Sequence, residues 1–243
     1  MRLPDSTKLG TRSATPVATI TTVSAFLDFL SQCVASDRNV LYRGLQKRSF
    51  KLIPSAGRAK TKRADVFSIG DEKLVLKMFK QKAYSFLREH MDDDLAVLSI
   101  AQHHGLPTRL MDWSRNPLVA AYFAVRDAFR EGEDIEDSVI YVYYPDDKVD
   151  LEKKIEPFNI SSVARYIPRY WDPRIVAQAG IFTVHNEPQT PFAPHNMDTV
   201  IIKHDVRQEL KFALNGLGVH SGTMFPDLDG IAHHIQWLRT DAF

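Results

Sequence analysis

The stretch 102-QHHGLPTRLMDWSRNPLVAAYFAV-125 decides how this chain is read. It sets two histidines, two arginines, an aspartate, a tryptophan and two prolines between one apolar helical pattern and another. Upstream, 93-DDLAVLSIAQHH-104 has helical spacing and stops at Gly105, with Pro107 just beyond. Downstream, Pro117 stands where a first helical turn accepts proline, with Asn116 as candidate cap. The helix it starts, LVAAYFAVRDAFR, is apolar around much of its circumference, which predicts burial. The corner between the two helices reads in two ways. Either its polar groups form a site, or Asp112 ties down Arg109 and backbone amides to make a structural turn.

Working outward, AFLDFLSQCVAS after Ser24 places apolar residues at 26, 27, 30, 33 and 34, a helix that Ser24 can cap. The run 40-VLYRG-44 predicts a strand ended by glycine. Residues 45–70 carry Lys47, Arg48, Lys51, Arg58, Lys60, Lys62 and Arg63, either a solvated loop or a phosphate-facing rim. From Asp71 to His90 the pattern is a long amphipathic helix, acidic at its start. A strand is predicted over 138–144, and 174–185 reads as a strand pair or one strand bent at Gly180. Residues 186–198 form a loop, 199–206 a strand, 206–216 a helix and 228–239 a terminal helix. Strict βαβ alternation is absent, so the expectation is one α+β domain over 23–243, preceded by an arm over 1–22.

Of 243 residues, 44% are hydrophobic and 25% charged, which permits a sizeable core. A formal net charge of +1 supplies no whole-molecule field towards nucleic acid or membrane. The lone Cys33 excludes an intrachain disulfide and suits a reducing compartment. Lacking an 18-residue apolar run or a secretory leader, the chain is expected in the cytosol.

Metal chemistry has little support. The nine histidines include the adjacent pairs His103–His104 and His233–His234, and neighbours on a helix point about 100° apart. Neither a G-x-S-x-G elbow nor a phosphate-binding glycine motif is present. Ser114, His103 or His104, and Asp112 can be assembled into a triad on paper, a weak signal. Arg43 followed by Gly44 is the sharper one, because arginine recognises phosphate and glycine lets a ligand approach the backbone.

Taken together, 42-YRG-44, 52-LIPSAGR-58, 101-AQHHGLPTRLMDWSRNPLVAAYFA-124, 177-AQAGIFTVH-185 and 224-MFPDLDG-230 resemble the FRG domain family, from about Asn39 to Gly230. A weaker resemblance is to ADP-ribosyltransferases, whose mixed, split sheet carries three separated signatures. Tyr42-Arg43-Gly44 looks like the first, Thr108 through Ser114 like the second, and Gln178 like the third, where a glutamate is usual.

That resemblance implies NAD as substrate, with ADP-ribose passed to a protein or nucleic acid, or the cofactor hydrolysed. Arg43, Gly44, Thr108, Arg109 and Asp112 would bind it. Arg43, His103, His104, Ser114 and Gln178 would carry the chemistry. Gln178 offers no negative charge to an oxocarbenium ion, leaving Asp112 and Glu187 as the carboxylates at hand. The alternative is a non-enzymatic module that docks a nucleotide, nucleic acid or phosphoprotein, helped by the basic stretch.

Overall fold

The computed structural model describes residues 17–34, 39–62, 64–87, 91–129, 132–145, 155–169 and 172–240. Seven strands form one sheet in the order β1-β7-β4-β2-β3-β6-β5. They are β1 (Ala18–Ile20), β2 (Leu41–Leu45), β3 (Leu110–Ser114), β4 (Ser138–Tyr143), β5 (Ala164–Tyr166), β6 (Gly180–Val184) and β7 (Met197–Ile202). Only β1 and β7 run parallel; every other neighbour pair is antiparallel. The α+β expectation holds.

The sheet is continuous, yet uneven at its centre. β2 pairs with β4 through five residues and β3 with β6 through five. Between β2 and β3 the ladder is closed by one residue pair, Tyr42 and Ser114. A four-strand leaf and a three-strand leaf therefore meet at a seam.

Helices cover one face. On the larger leaf lie α1 (Val23–Val34), α6 (Pro117–Val125) and α8 (Arg207–Gly216). Phe26, Ala121, Val125 and Leu210 meet Tyr42, Ile140, Val200 and Ile202 there. On the smaller leaf, α3 (Ile69–Lys82) and α5 (Asp94–His103) place Leu76, Val97 and Leu98 against Leu110, Phe182 and Val184. Each of the buried Val, Leu, Ile and Phe side chains contributes about 1.5–3 kcal/mol. The opposite face is closed by Leu52 and Phe192 from loops, packed on Leu41, Met111, Trp113 and Ile181.

Local signals explain the helix ends. Asn116 accepts from Leu118 N at 2.9 Å with Pro117 behind it, and Asp93 caps α5 through Leu95 N and Ala96 N. Gly105 follows α5 at φ 86°, a left-handed conformation suited to glycine. Ser68 and Asp71 make a reciprocal capping box on α3.

Several expectations need correction. α1 is capped by the Thr22 hydroxyl, which accepts from Ala25 N at 3.1 Å, not by Ser24. The helix from Asp71 breaks at Ala83 and resumes only as α4 (Tyr84–Leu87); residues 88–90 lie outside the described residues. α6 stops at Val125 rather than near Arg130. The span 174–185 is not a bent strand: its first part is α7 (Pro173–Ala177), capped by Asp172 on Arg174 N at 2.7 Å. Ala179, at φ 45°, then turns the chain into β6. Three short elements escape periodicity: the edge strand β5, α2 (Ser55–Arg58) and α9 (Ser221–Met224). The terminal helix, α10 (Leu228–Arg239), is where it was expected. Of the 1–22 arm, residues 17–22 are described and include β1.

Candidate functional site

The seam opens into a cleft of about 490 Å³, with walls from β2, β3, α5, α6, α7 and Phe225. Six of the nine residues picked from sequence line it: Arg43, Gly44, His103, Asp112, Ser114 and Gln178.

Arg43 occupies the gap in the ladder. Its Nη1 donates to the Asp112 carbonyl at 2.5 Å, so a guanidinium stands where a strand partner would. The same Nη1 lies 3.6 Å from the Asp112 carboxylate. Burial pulls the Arg43 guanidinium below the usual arginine range, opposed chiefly by Asp112, while nearby Arg58 pulls the same way as burial. Asp112 has a side chain 61% exposed, and Gln102 holds its Oδ1 through Nε2 at 2.7 Å. Gln102 is fixed in turn by the Thr108 hydroxyl. A relay Thr108–Gln102–Asp112 thus aims a carboxylate into the cleft. Gln102 was missed from sequence; its one signal was a polar residue at the end of an otherwise apolar helix.

Gly44 lies in the wall for a reason other than ligand access. A Cβ there would stand 1.8 Å from the Ala120 carbonyl oxygen and 2.8 Å from Ala124 N. The strand and α6 pack backbone to backbone, which is what the small residues of VAAYFA allow.

Ser114 donates to the Gln178 carbonyl at 2.7 Å and accepts from Asn116 N at 2.9 Å. Gln178 is the C-cap of α7, not a strand residue, and its Nε2 donates to Met224 O at 3.0 Å. His103 faces Asp172 at 3.5 Å, and burial lowers its pKa, with Asp172 as the main opposing influence.

Three candidates stand elsewhere. His104 is an exposed C-cap touching the His103 ring edge-on at 4.9 Å. Thr108 is buried, its amide accepted by Ser55 Oγ at 2.9 Å. Arg109, 2% exposed, makes a bidentate pair with Glu72 at 2.8 and 3.0 Å and donates to the carbonyls of Pro157 and His185. It builds the smaller leaf from inside. Glu187 does not line the cleft.

The remaining walls supply cations and rings that single-residue scanning passed over. Arg58, Arg126 and Arg174 join Arg43, and Phe50, Phe123, Phe225 and Trp113 give aromatic surface. Four arginines face two aspartates, Asp112 and Asp127, a formal +2. Among the described residues of the basic stretch 45–63, only Arg58 reaches the cleft; Lys47 pairs with Glu133 and Lys60 with Asp65. Behind the cleft, Trp113 donates to Thr183 Oγ1 at 2.9 Å, which meets His185 Nε2 at 2.8 Å. Burial first, then Arg43 and Arg109, hold the His185 pKa down to about 4.

Residues 38–133 match the family model of the FRG domain. The chain contains an FRG domain. The matched segment takes in β2 through α6, and with them Arg43, Gln102, Asp112 and the seam. The FRG match ends before the walls formed by Arg174, Gln178 and Phe225, which the sequence resemblance had extended to about Gly230. No curated protein and no solved structure matches the chain. Among the described residues, no group of three or more His, Cys, Asp or Glu is placed to hold a metal ion. No helix among them is long and apolar enough to cross a membrane.

Proposed function

We propose that the FRG cleft binds a nucleotide, NAD in the favoured reading, and breaks its glycosidic bond to transfer ADP-ribose or to hydrolyse it. The carrying observation is Asp112: one carboxylate, held by Gln102 and facing Arg43 at 3.6 Å, exposed in a cleft with a formal +2 charge and aromatic walls. The arginines suit phosphates, and the rings suit a planar base. The carboxylate suits the positive charge that develops on the ribose as nicotinamide leaves. In this reading Asp112 supplies what Gln178 lacks. Gln178 keeps its amide oxygen clear of hydrogen bonds among the described residues, a fitting acceptor for a ribose hydroxyl. His103, its pKa lowered by burial, would act as the base for the incoming acceptor.

The test is release of nicotinamide from labelled NAD by the purified chain, beside Asp112→Asn and Arg43→Ala. Release that both substitutions abolish supports the reading. A rise in melting temperature with NAD but no release reduces the FRG domain to a binding module. Neither release nor a thermal shift ends the NAD reading.

A further inference from the structure

A second cavity of about 500 Å³ adjoins the cleft, and the two share Arg126, Asp127, Arg174 and Phe225. These residues form a waist. The Phe225 ring carries both guanidiniums, Arg126 at 5.6 Å and Arg174 at 5.2 Å from its centroid. Arg174 gives Nε and Nη2 to Asp227, and Arg126 gives Nε to Asp127 at 2.8 Å. Among the described residues, both Nη groups of Arg126 and Nη1 of Arg174 make no hydrogen bond. The Arg126–Asp127 pair is between sequence neighbours and partly exposed (36% and 56%), so exchanging Asp127 for another anion costs little.

Beyond the waist the character changes. With the waist set aside, the lining of the second chamber keeps one cation, Lys211, against two aspartates, Asp227 and Asp229. One wall is a stack of rings: His220 on His234 at 3.6 Å and 13°, then Trp237 at 6.2 Å and 18°. Asn215 and Asp229 add polar edges. An anionic group has no reason to settle there; a planar ring does.

We propose that the waist seats a diphosphate whose two substituents lie in the two chambers, so the ligand is a dinucleotide with one base against the His220–His234–Trp237 wall. This rests on reading the cleft as a nucleotide site. It moves the phosphates from Arg43, committed to Asp112, to Arg126 and Arg174.

The experiment is calorimetric titration of the full chain with NAD, ADP-ribose, AMP and nicotinamide mononucleotide, repeated with Arg126→Gln. Trp237 emission is followed against Trp237→Phe. Expected are at least tenfold tighter binding of NAD and ADP-ribose than of either mononucleotide, and at least tenfold weakening by Arg126→Gln at unchanged melting temperature. Trp237 quenching should appear with AMP, ADP-ribose and NAD but not with nicotinamide mononucleotide. If NAD is turned over while Arg126→Gln binds within twofold of the parent, the waist proposal falls and the reaction stands. If ADP-ribose binds through Arg126 without any nicotinamide release, the reaction falls and the waist stands. Absence of binding by all four compounds overturns both.

Discussion

Arg43 touches Asp112 twice: its Nη1 donates to the backbone carbonyl and lies 3.6 Å from the carboxylate. One guanidinium therefore patches a missing rung of the sheet and sits beside the acid of the cleft. Charge at Asp112 is separable from fold, because its side chain is largely exposed. Asp112→Asn is expected to change stability by no more than about 1 kcal/mol. In the NAD reading, nicotinamide release should drop by about 10²–10³-fold. Equal turnover by parent and variant in a single-turnover assay would remove Asp112 from the chemistry.

Glu72 and Arg109 test the opposite case. Both are nearly inaccessible and bonded in two places. Replacing Glu72 with glutamine leaves a buried guanidinium uncompensated and should cost about 3–5 kcal/mol. Urea unfolding curves will show it as a lower midpoint at similar slope. A midpoint unchanged from the parent contradicts the structural role given to this pair.

At Gly44 the expected effect is steric. The added methyl of Gly44→Ala overlaps the Ala120 carbonyl, a backbone atom of a helix that cannot step aside. A loss of about 3 kcal/mol or more is expected, at the upper end for overpacking. Thermal melting reads it directly. A variant as stable as the parent would mean that β2 and α6 are not in backbone contact.

His185 predicts how stability follows pH. Unfolded, it takes its proton near 6.5; folded, only near 4. Between those values the unfolded chain binds more protons, so acid favours unfolding. The contribution is fully present above pH 6.5, declines as pH falls towards 4, and totals about 3 kcal/mol. His103, His220 and His234 shift in the same direction and add to the slope. His185→Gln should flatten the fall measured by denaturant midpoints from pH 7 to 4. An undiminished slope would show that the drop arises elsewhere.

Much of the frame was legible in the sequence because it is written in local chemistry. Gly105, Asn116 and Pro117 are stop and cap signals acting within a few residues, and they placed the end of α5 and the start of α6. The α7 region failed because RIV has strand-like composition. Asp172 and Pro173 outweigh that preference by satisfying and preorganising the first turn. Within the site, Arg43 and Asp112 were visible as residue types, but not that one plugs the ladder at the other. Arg109 was read as facing a ligand because nothing local reveals Glu72, 37 residues away. Arg126, Arg174 and Phe225 lie on separate elements, and only the packing of α6, α7 and α9 brings them together.

The lone Tyr42–Ser114 bridge has a mechanical meaning. Within the ladder, β2 and β3 are joined by a single rung and one removable bolt, the Arg43 side chain. A ligand that draws this guanidinium off the Asp112 carbonyl unfastens the bolt, and one that leaves it in place keeps the leaves locked. Exchange rates of amides along the fault between β2 and β3, with and without ligand, report whether the bolt is drawn.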